Sequence, residues 1–349
     1  LEKKVETGET VWKSTLRVPN PRLWELEDPY LYQFTARLEG AAGADVKTFR
    51  CGFRDFRVDR GYFRLNGRRI FLRSTHTGND CPVTDQLFTA YLPDFPRRDM
   101  LNLKTMGFNM VRWIMGTPSR QQLDLCDEIG LLIYAEHRGS WLLENSAWME
   151  ERFHQSLRCA ILRDRNHVSV VMWGLLNECP TPWVKDNGPV FEAAVNSLGM
   201  IREMDPGRLV WLHSGRWDCR LDIGSAANPG SGQWQCLLGQ EDPTNPPKTE
   251  ITSQHIPPHR GQVAAYVPGA GDVHIYPRAP HDAEIIKLLR TAGEGGKNIY
   301  VSEYGIASGV DLARLARQFE QRMDAQVYYT RRSTFRQRLE QFQADWDRW

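Results

Sequence analysis

Several features are scarce or absent in this sequence, and each absence excludes a class of protein. The longest nearly apolar run, residues 168–176, is far shorter than the ~20 residues that a membrane-spanning helix needs. The 44 Lys and Arg residues almost balance the 43 Asp and Glu residues, so the net charge is +1 and there is no basic excess for nucleic acid or an anionic membrane. We therefore expect a globular protein with neither a nucleic-acid partner nor a membrane partner.

Cysteine pairs with the spacing of a metal site are also lacking. The seven Cys residues are an odd number and include no Cys-x-x-Cys motif. This favours scattered reduced thiols over a disulfide framework or a zinc knuckle. The sequence opens with no signal-like segment and with Leu rather than Met, so we expect the natural N-terminus to lie outside it. The sequence assigns no cellular compartment.

Residues 1 to about 66 contain short segments in which apolar and polar residues alternate. Segments 11–18, 30–38 and 46–56 have this period of two, and turn-forming Pro-Asn-Pro, Glu-Gly and Asp-Arg-Gly sequences punctuate the region. Such spacing is typical of an antiparallel β-sandwich. Only three or four strands are recognisable, so we expect the rest of the sandwich to lie upstream.

The pattern changes from Ile70 onward, where short apolar segments alternate with amphipathic helical ones. The seven strand-like segments are 70–72, 109–114, 131–135, 168–176, 208–213, 272–276 and 298–302, and the helical ones are 96–106, 119–129, 150–162, 190–204 and 283–292. A repeated βα unit predicts a parallel sheet that is buried on both faces. Because no glycine-rich phosphate loop is present, we favour an α/β fold of the (β/α)8 TIM-barrel type over a doubly wound nucleotide fold.

An eighth barrel strand is not recognisable, since residues 312–349 have a helical pattern nearly throughout. We therefore expect a barrel that is truncated before its eighth strand, and we predict two domains, 1–66 for the sandwich part and 67–349 for the barrel. The connection 215–271 is long, rich in Gly and Pro, and lacks periodicity. A connection of this kind is typical of a binding lid or a disordered insertion.

Two glutamates follow predicted strands at the end of the barrel where such enzymes build their sites. Glu178 comes after the fourth strand and directly after Asn177, and Glu303 comes after the seventh. Two carboxylates across one barrel mouth are the minimum for cleaving a glycosidic bond, because one must donate a proton while the other attacks or activates water. Each Glu alone is more readily explained by an ion pair. Two Glu at matching strand ends favour catalysis.

Around these glutamates the sequence resembles glycoside hydrolase family 2, the family of the β-galactosidases, β-glucuronidases and β-mannosidases. Its acid/base signature is similar to 163–167 followed by 170–173 and Asn177-Glu178. Further motifs similar to the family's, in order along the chain, are 23–24 with 28–32 for its immunoglobulin-like domain, 52–54, 63–67 and 71–73 for the entry into the barrel, 107–112 and 124–131 for the second and third strands, and 302–305 for the nucleophile strand. Several motifs in the right order are far more specific than any one of them.

The resemblance implies a retaining, exo-acting β-glycosidase, a glycoside hydrolase of carbohydrate metabolism that hydrolyses O-glycosyl bonds at terminal β-linked sugars. Glu178 would be the general acid/base, and Glu303 would be the nucleophile that forms a glycosyl-enzyme. Asn177 would hydrogen-bond the sugar 2-hydroxyl. Tyr276 would orient the nucleophile, and Arg112 would favour the charged form of a neighbouring carboxylate.

Three further residues at predicted strand ends are expected to bind substrate: His213, His274 and Glu136. The spacing of the histidines matches no short metal motif, so we expect no metal and no cofactor. Arginines at the barrel rim pair with acidic residues or, alternatively, recognise the carboxylate of a uronic acid. These rim arginines are Arg73, Arg112, Arg138, Arg216 and Arg278.

Two other functions stay open beside the glycosidase. One is a non-catalytic carbohydrate-binding protein on the same fold, and the other is an endo-acting β-glycanase of a related barrel family. The retained pair of carboxylates disfavours the first, and the sandwich strands before the barrel disfavour the second. The expected partner is a carbohydrate substrate. The identity of the sugar and homo-oligomer formation through missing domains are left open.

Overall fold

The computed structural model describes residues 11, 13–41, 43–59, 62–77, 94–140, 146–177, 188–214, 271–275, 283, 286–287, 290 and 299–304. The long connection predicted at 215–271 lies outside these ranges except for its last residue, and so does the helical segment predicted at 312–349. The eighth strand and the lid therefore stay predictions. No helix in the described ranges is both long enough and apolar enough to cross a membrane.

The first strands form an antiparallel hairpin, β1 (Tyr32–Gly40) with β2 (Gly43–Cys51), in which Phe34 lies opposite Phe49. These two strands agree with the alternating segments predicted at 30–38 and 46–56. The strand predicted at 11–18 is wrong, because residue 11 and residues 13–18 have no strand structure and are exposed. An alternating pattern forms a strand only where a neighbouring strand accepts its hydrogen bonds, and no described strand lies beside this segment.

A small antiparallel sheet follows, with strands β3 (Phe56–Asp59), β4 (Tyr62–Leu65) and β5 (Arg68–Arg69). Asn66 and Gly67 both have positive φ, as a tight two-residue hairpin requires, and join β4 to β5. This sheet crosses the domain boundary predicted between residues 66 and 67, and that boundary stays a prediction. Its buried side chains Phe56, Phe63 and Leu65 pack into one cluster with inward-facing residues of the parallel strands.

The rest of the described chain alternates strands and helices. The elements are β6 (Ser74–Thr77), α1 (Phe95–Thr105), β7 (Met110–Trp113), α2 (Arg120–Ile129), β8 (Leu132–Glu136), α3 (Met149–Asp164), β9 (Val170–Asn177), α4 (Gly188–Met204), β10 (Leu209–Ser214), β11 (Gly271–Ile275) and β12 (Ile299–Tyr304). Strands β6 to β10 form one parallel sheet in sequential order, and β11 pairs with β12 in parallel. This is the strand arrangement of a TIM barrel.

Strands β7, β8 and β9 are buried on both faces, which is why apolar segments predicted them well. Val111 and Ile133 face the helices, in a cluster with Leu123 and Phe153. Tyr134, the neighbour of Ile133, belongs to the interior cluster instead, because successive side chains of a strand point to opposite faces. Helix α2 agrees with the helical segment predicted at 119–129, and it has a Ser119–Gln122 capping box at its start and a left-handed Gly130 at its end.

The first barrel strand is the exception. The apolar segment 70–72 predicts it, but the strand β6 begins only at Ser74. Ile70 instead donates its N–H to the Phe63 carbonyl at 2.9 Å, beside the small sheet, and Phe71 is 78% exposed. The segment that does enter the parallel sheet, Ser74–Thr77, is polar throughout and gives no apolar signal.

Candidate active site

Four of the predicted site residues converge at the carboxyl-terminal ends of the parallel strands. Arg112 lies on β7, Glu136 and Asn177 are the last residues of β8 and β9, and Glu303 lies near the end of β12. All four are buried, and Glu303 retains 7% exposure. Sequence reasoning placed them at strand ends separately, and the fold brings them to one point.

The guanidinium of Arg112 is the centre of this group. Its Nη1 donates to Glu303 Oε1 at 3.0 Å, and its Nη2 donates to Asn177 Oδ1 at 2.6 Å. Its Nε donates to Glu136 Oε1 at 2.6 Å, and Nη2 also contacts that oxygen. A further contact joins Nη1 to the Ser302 carbonyl at 3.3 Å. One planar cation thus orients two carboxylates and one amide, as its rigid fork of donors allows.

The second oxygen of Glu136 is held by the loops that follow β7 and β8. Oε2 accepts the backbone N–H of Met115 at 3.1 Å and the hydroxyl of Ser140 at 3.2 Å. Met115 has φ +53°, in the left-handed region that non-glycine residues rarely adopt. Backbone strain of this kind clusters at functional sites, where the surrounding structure maintains it.

This buried group combines one guanidinium with two carboxyl groups. Arg112 forms an ion pair with Glu136 and another with Glu303. Burial of charges is tolerated only when they are paired and hydrogen-bonded, and each of these side chains has such partners. Among the described residues this arrangement therefore offers a buried carboxylate, Glu303, with a cation at 3.0 Å.

Aromatic side chains form the floor of the site. The Cζ atom of Arg112 lies 5.4 Å from the centre of the Tyr134 ring. Tyr300 packs against Tyr134, Phe63 and Trp211 with ring centres 5.9 to 6.4 Å apart. Gly174 on β9 leaves the space that this packing needs, because a Cβ atom there would lie 2.5 Å from Tyr134 Cε2 and 2.6 Å from Glu136 Cγ.

The other predicted site residues lie partly or wholly outside the described residues. The backbone of His274 is on β11, opposite Glu303 in register, and that of His213 is on β10, but their side chains are outside the described set. Glu178 and Tyr276 lie outside it entirely. Their roles, and the substrate-binding role of Glu136, stay predictions. Within the described ranges, no three His, Cys, Asp or Glu side chains are grouped to hold a metal ion.

Sequence reasoning missed Met115 and Ser140, whose contacts support Glu136. No residue-type signal distinguishes them from ordinary loop residues. Arg112 directs its Nε, Nη1 and Nη2 groups at protein oxygens, which disfavours it as the fork for a substrate carboxylate.

Comparison with known proteins agrees with this fold. Residues 56–228 match the TIM barrel domain of glycosyl hydrolases family 2, and residues 2–54 match a second model of glycosyl hydrolases family 2. A β-galactosidase of Bacteroides ovatus, BoGH2A, is 32% identical over 188 residues, which are 52% of this chain and 22% of that protein. The alignment thus spans less than a quarter of the length of this relative.

Solved structures give the same result. The β-glucuronidase of Parabacteroides merdae is 30% identical with a TM-score of 0.51, over 55% of this chain and 24% of that one. A β-galacturonidase of Eisenbergiella tayi, bound to galacturonate, has a TM-score of 0.57 over 86% of this chain and 47% of that one; at 23% identity it supports the fold alone. The predicted fold class, a TIM barrel preceded by part of an immunoglobulin-like sandwich, is confirmed. The chain belongs to glycoside hydrolase family 2.

Proposed function

We propose that this protein is a retaining, exo-acting β-glycosidase that removes terminal β-linked sugars from oligosaccharides or glycoconjugates. The observation that carries the proposal is the contact of one guanidinium, Arg112, with both Glu303 and Asn177. That contact joins the mouth ends of β12 and β9. Glu178 directly follows Asn177 in the sequence, so the two predicted catalytic carboxylates belong to strand ends that meet at Arg112.

In the proposed reaction Glu178 protonates the glycosidic oxygen, and Glu303 attacks the anomeric carbon as the alcohol leaves. Water, deprotonated by Glu178, then attacks the same carbon and releases Glu303, so the β configuration is retained. Such a mechanism needs the two carboxyl groups ~5–5.5 Å apart. Because Asn177 Oδ1 is bound to Arg112, its amide nitrogen is the group left for the sugar 2-hydroxyl.

The proposed substrate class, terminal β-linked sugars, follows from the relatives. The similar proteins are named as a β-galactosidase and a β-glucuronidase, so neutral and acidic sugars both belong in the test. If a uronic acid is the substrate, residues other than Arg112 must recognise its carboxylate, since Arg112 is bound to Glu136, Asn177 and Glu303.

The first experiment is a panel of p-nitrophenyl β-glycosides with the full-length protein: galactoside, glucuronide, galacturonide, glucoside and mannoside. We expect release of p-nitrophenol from at least one of them. Sugar binding without release from any of them would favour the non-catalytic carbohydrate-binding alternative. Cleavage of internal linkages in a polysaccharide, without release of terminal sugars, would favour the endo-acting alternative.

The second experiment tests the acid/base role. Glu178→Ala should slow hydrolysis of natural substrates far more than that of aryl glycosides, because a phenolate leaves without a proton and a sugar does not. Added azide should restore turnover and yield a β-glycosyl azide. An α-glycosyl azide would contradict retention. Glu192→Ala, which removes an exposed glutamate from α4, is the matched control and should behave as the unmodified protein.

A further inference from the structure

The turn that follows β8, residues 137–140, contacts two of the three residues whose side chains bind Arg112: the side chain of Glu136 and the backbone of Asn177. The hydroxyl of Ser140 donates to Glu136 Oε2 at 3.2 Å, and its carbonyl accepts the backbone N–H of Asn177 at 2.8 Å. Ser140 is fully buried. One residue therefore holds the ends of β8 and β9 in place, through two different oxygen atoms.

His137 fixes the conformation of this turn. Its N–H donates to the Gly174 carbonyl at 2.8 Å, and its carbonyl accepts the Ser140 N–H at 3.0 Å. The ring Nδ1 accepts the N–H of Gly139 at 3.0 Å, so Nε2 carries the proton and donates to Ser156 Oγ at 2.5 Å. Burial lowers the pKa of His137 to about 4, which keeps the imidazole neutral at physiological pH. The turn is thus anchored to both β9 and α3.

Both oxygens of the Glu136 carboxyl group are engaged by protein groups. Oε1 accepts the Nε–H of Arg112 and contacts its Nη2, and Oε2 accepts the N–H of Met115 and the hydroxyl of Ser140. A carboxylate offers about four acceptor sites, so these described partners occupy most of them. Its geometry therefore favours a supporting role over direct contact with substrate.

We propose that Ser140 is a positioning residue of the active site: by holding Glu136, it keeps the Arg112 guanidinium in the orientation that contacts Glu303. The inference rests on the proposed function, in which Glu303 is the nucleophile. If the Ser140 hydroxyl is removed, the Met115 N–H is the remaining donor to Glu136 Oε2 within the described ranges. The Glu136 carboxylate can then rotate, and Arg112, bound to it through Nε and Nη2, moves with it.

The test is Ser140→Ala in the full-length protein, which removes the hydroxyl and leaves the carbonyl that binds Asn177. We expect kcat to fall about tenfold, which corresponds to one hydrogen bond, while KM stays unchanged. The kcat of Ser140→Cys, whose S–H is a weak donor, should lie between those of the unmodified protein and Ser140→Ala. Ser197→Ala is the matched control, because it removes an equally buried hydroxyl, bonded to the Ala194 carbonyl on α4. An unchanged kcat, or a rise in KM alone, would overturn the proposal.

A crystal structure of Ser140→Ala separates failure of this inference from failure of the proposed function. We expect the Arg112 Nη1–Glu303 Oε1 contact, 3.0 Å in the unmodified chain, to lengthen or to exchange partners. If Glu136, Arg112 and Glu303 keep their positions, the positioning role is wrong whatever the activity. If they move and the unmodified protein cleaves no glycoside, the proposed function fails while the structural role of Ser140 is upheld.

Discussion

The two ends of the parallel sheet both bury charged side chains, but they use them differently. At the amino-terminal end the charges bind the main chain as well as side chains. Asp127 accepts the Ser169 N–H at 2.8 Å and contacts the His167 imidazole. Arg208 donates to the carbonyls of His167 and Val170 at 2.6 and 2.7 Å and pairs with Asp205. At the carboxyl-terminal end Arg112 binds mainly other side chains. Charges of the first kind secure loops, and charges of the second kind form a site.

The difference shows that burial and a shifted pKa do not by themselves identify an active site. Burial, with a smaller contribution from nearby Arg208, lowers the pKa of Arg54 to about 9. Yet Arg54 donates to the carbonyls of Val168 and Val170 at the amino-terminal end, where a structural role suffices to explain it. The two ends differ in their main partners, because Arg54 binds main-chain carbonyls whereas Arg112 orients the carboxyl and amide side chains of Glu136, Glu303 and Asn177.

The largest expected effect is on activity, from Glu303→Gln. The amide cannot form the glycosyl-enzyme, so kcat should fall by about 10,000-fold or more. The amide oxygen can still accept from Arg112, so the free energy of unfolding should change little. Steady-state kinetics and urea denaturation measure the two quantities. Substantial residual turnover would show that Glu303 is not the nucleophile, and a large loss of stability would show that this end of the barrel is also structural.

The next effect is on stability, from Asp127→Ala at the opposite end. The change leaves the Ser169 N–H and the imidazole of His167 without their carboxylate and should cost about 3–5 kcal/mol of unfolding free energy. Turnover per folded molecule should stay near that of the unmodified protein. Asp124→Ala is the control on the same helix, because this half-exposed carboxylate pairs with Arg50 and should cost no more than about 1 kcal/mol. Equal losses of unfolding free energy in Asp127→Ala and Asp124→Ala would show that the buried carboxylate stabilises the fold no more than the half-exposed one.

A third prediction concerns pH and the turn beside the site. His137 titrates at pH 6.5 when exposed and at about 4 in the folded protein, so between these values the unfolded state binds more protons. Stability should therefore fall as the pH falls from 7 to 4, by about 3 kcal/mol from this residue. Denaturant titrations at both pH values should show a loss smaller by that amount in His137→Gln. If His137→Gln loses as much stability between pH 7 and pH 4 as the unmodified protein, groups other than His137 cause the pH dependence.

The sequence predicted much of this architecture because strands buried on both faces appear as apolar segments. It failed at β6, where Ser74–Thr77 is polar, and at residues 11–18, whose alternation has no strand beside it. In the site, Arg112 and Glu303 could be predicted from motifs at strand ends. Met115 and Ser140 could not. Met115 acts through a backbone N–H, which does not depend on its side chain, and the hydroxyl of one loop serine gives no sequence signal that it binds Glu136.

The smallest expected effects come from two glycines that pack near opposite ends of β9: Gly174 lies within the strand, and Gly52 packs against Val168, which precedes it. A Cβ atom at Gly174 would lie 2.6 Å from Glu136 Cγ, and one at Gly52 would lie 2.9 Å from both methyl groups of Val168. Each change to Ala should cost about 1–3 kcal/mol of stability through overpacking. Only Gly174→Ala displaces Glu136, and with it Arg112, so it alone should lower kcat, by roughly 10- to 100-fold. Denaturation and steady-state kinetics of both variants measure this. Loss of activity in Gly52→Ala would show that packing against Val168 also affects the active site. Full activity in Gly174→Ala would show that displacing Glu136 does not affect turnover.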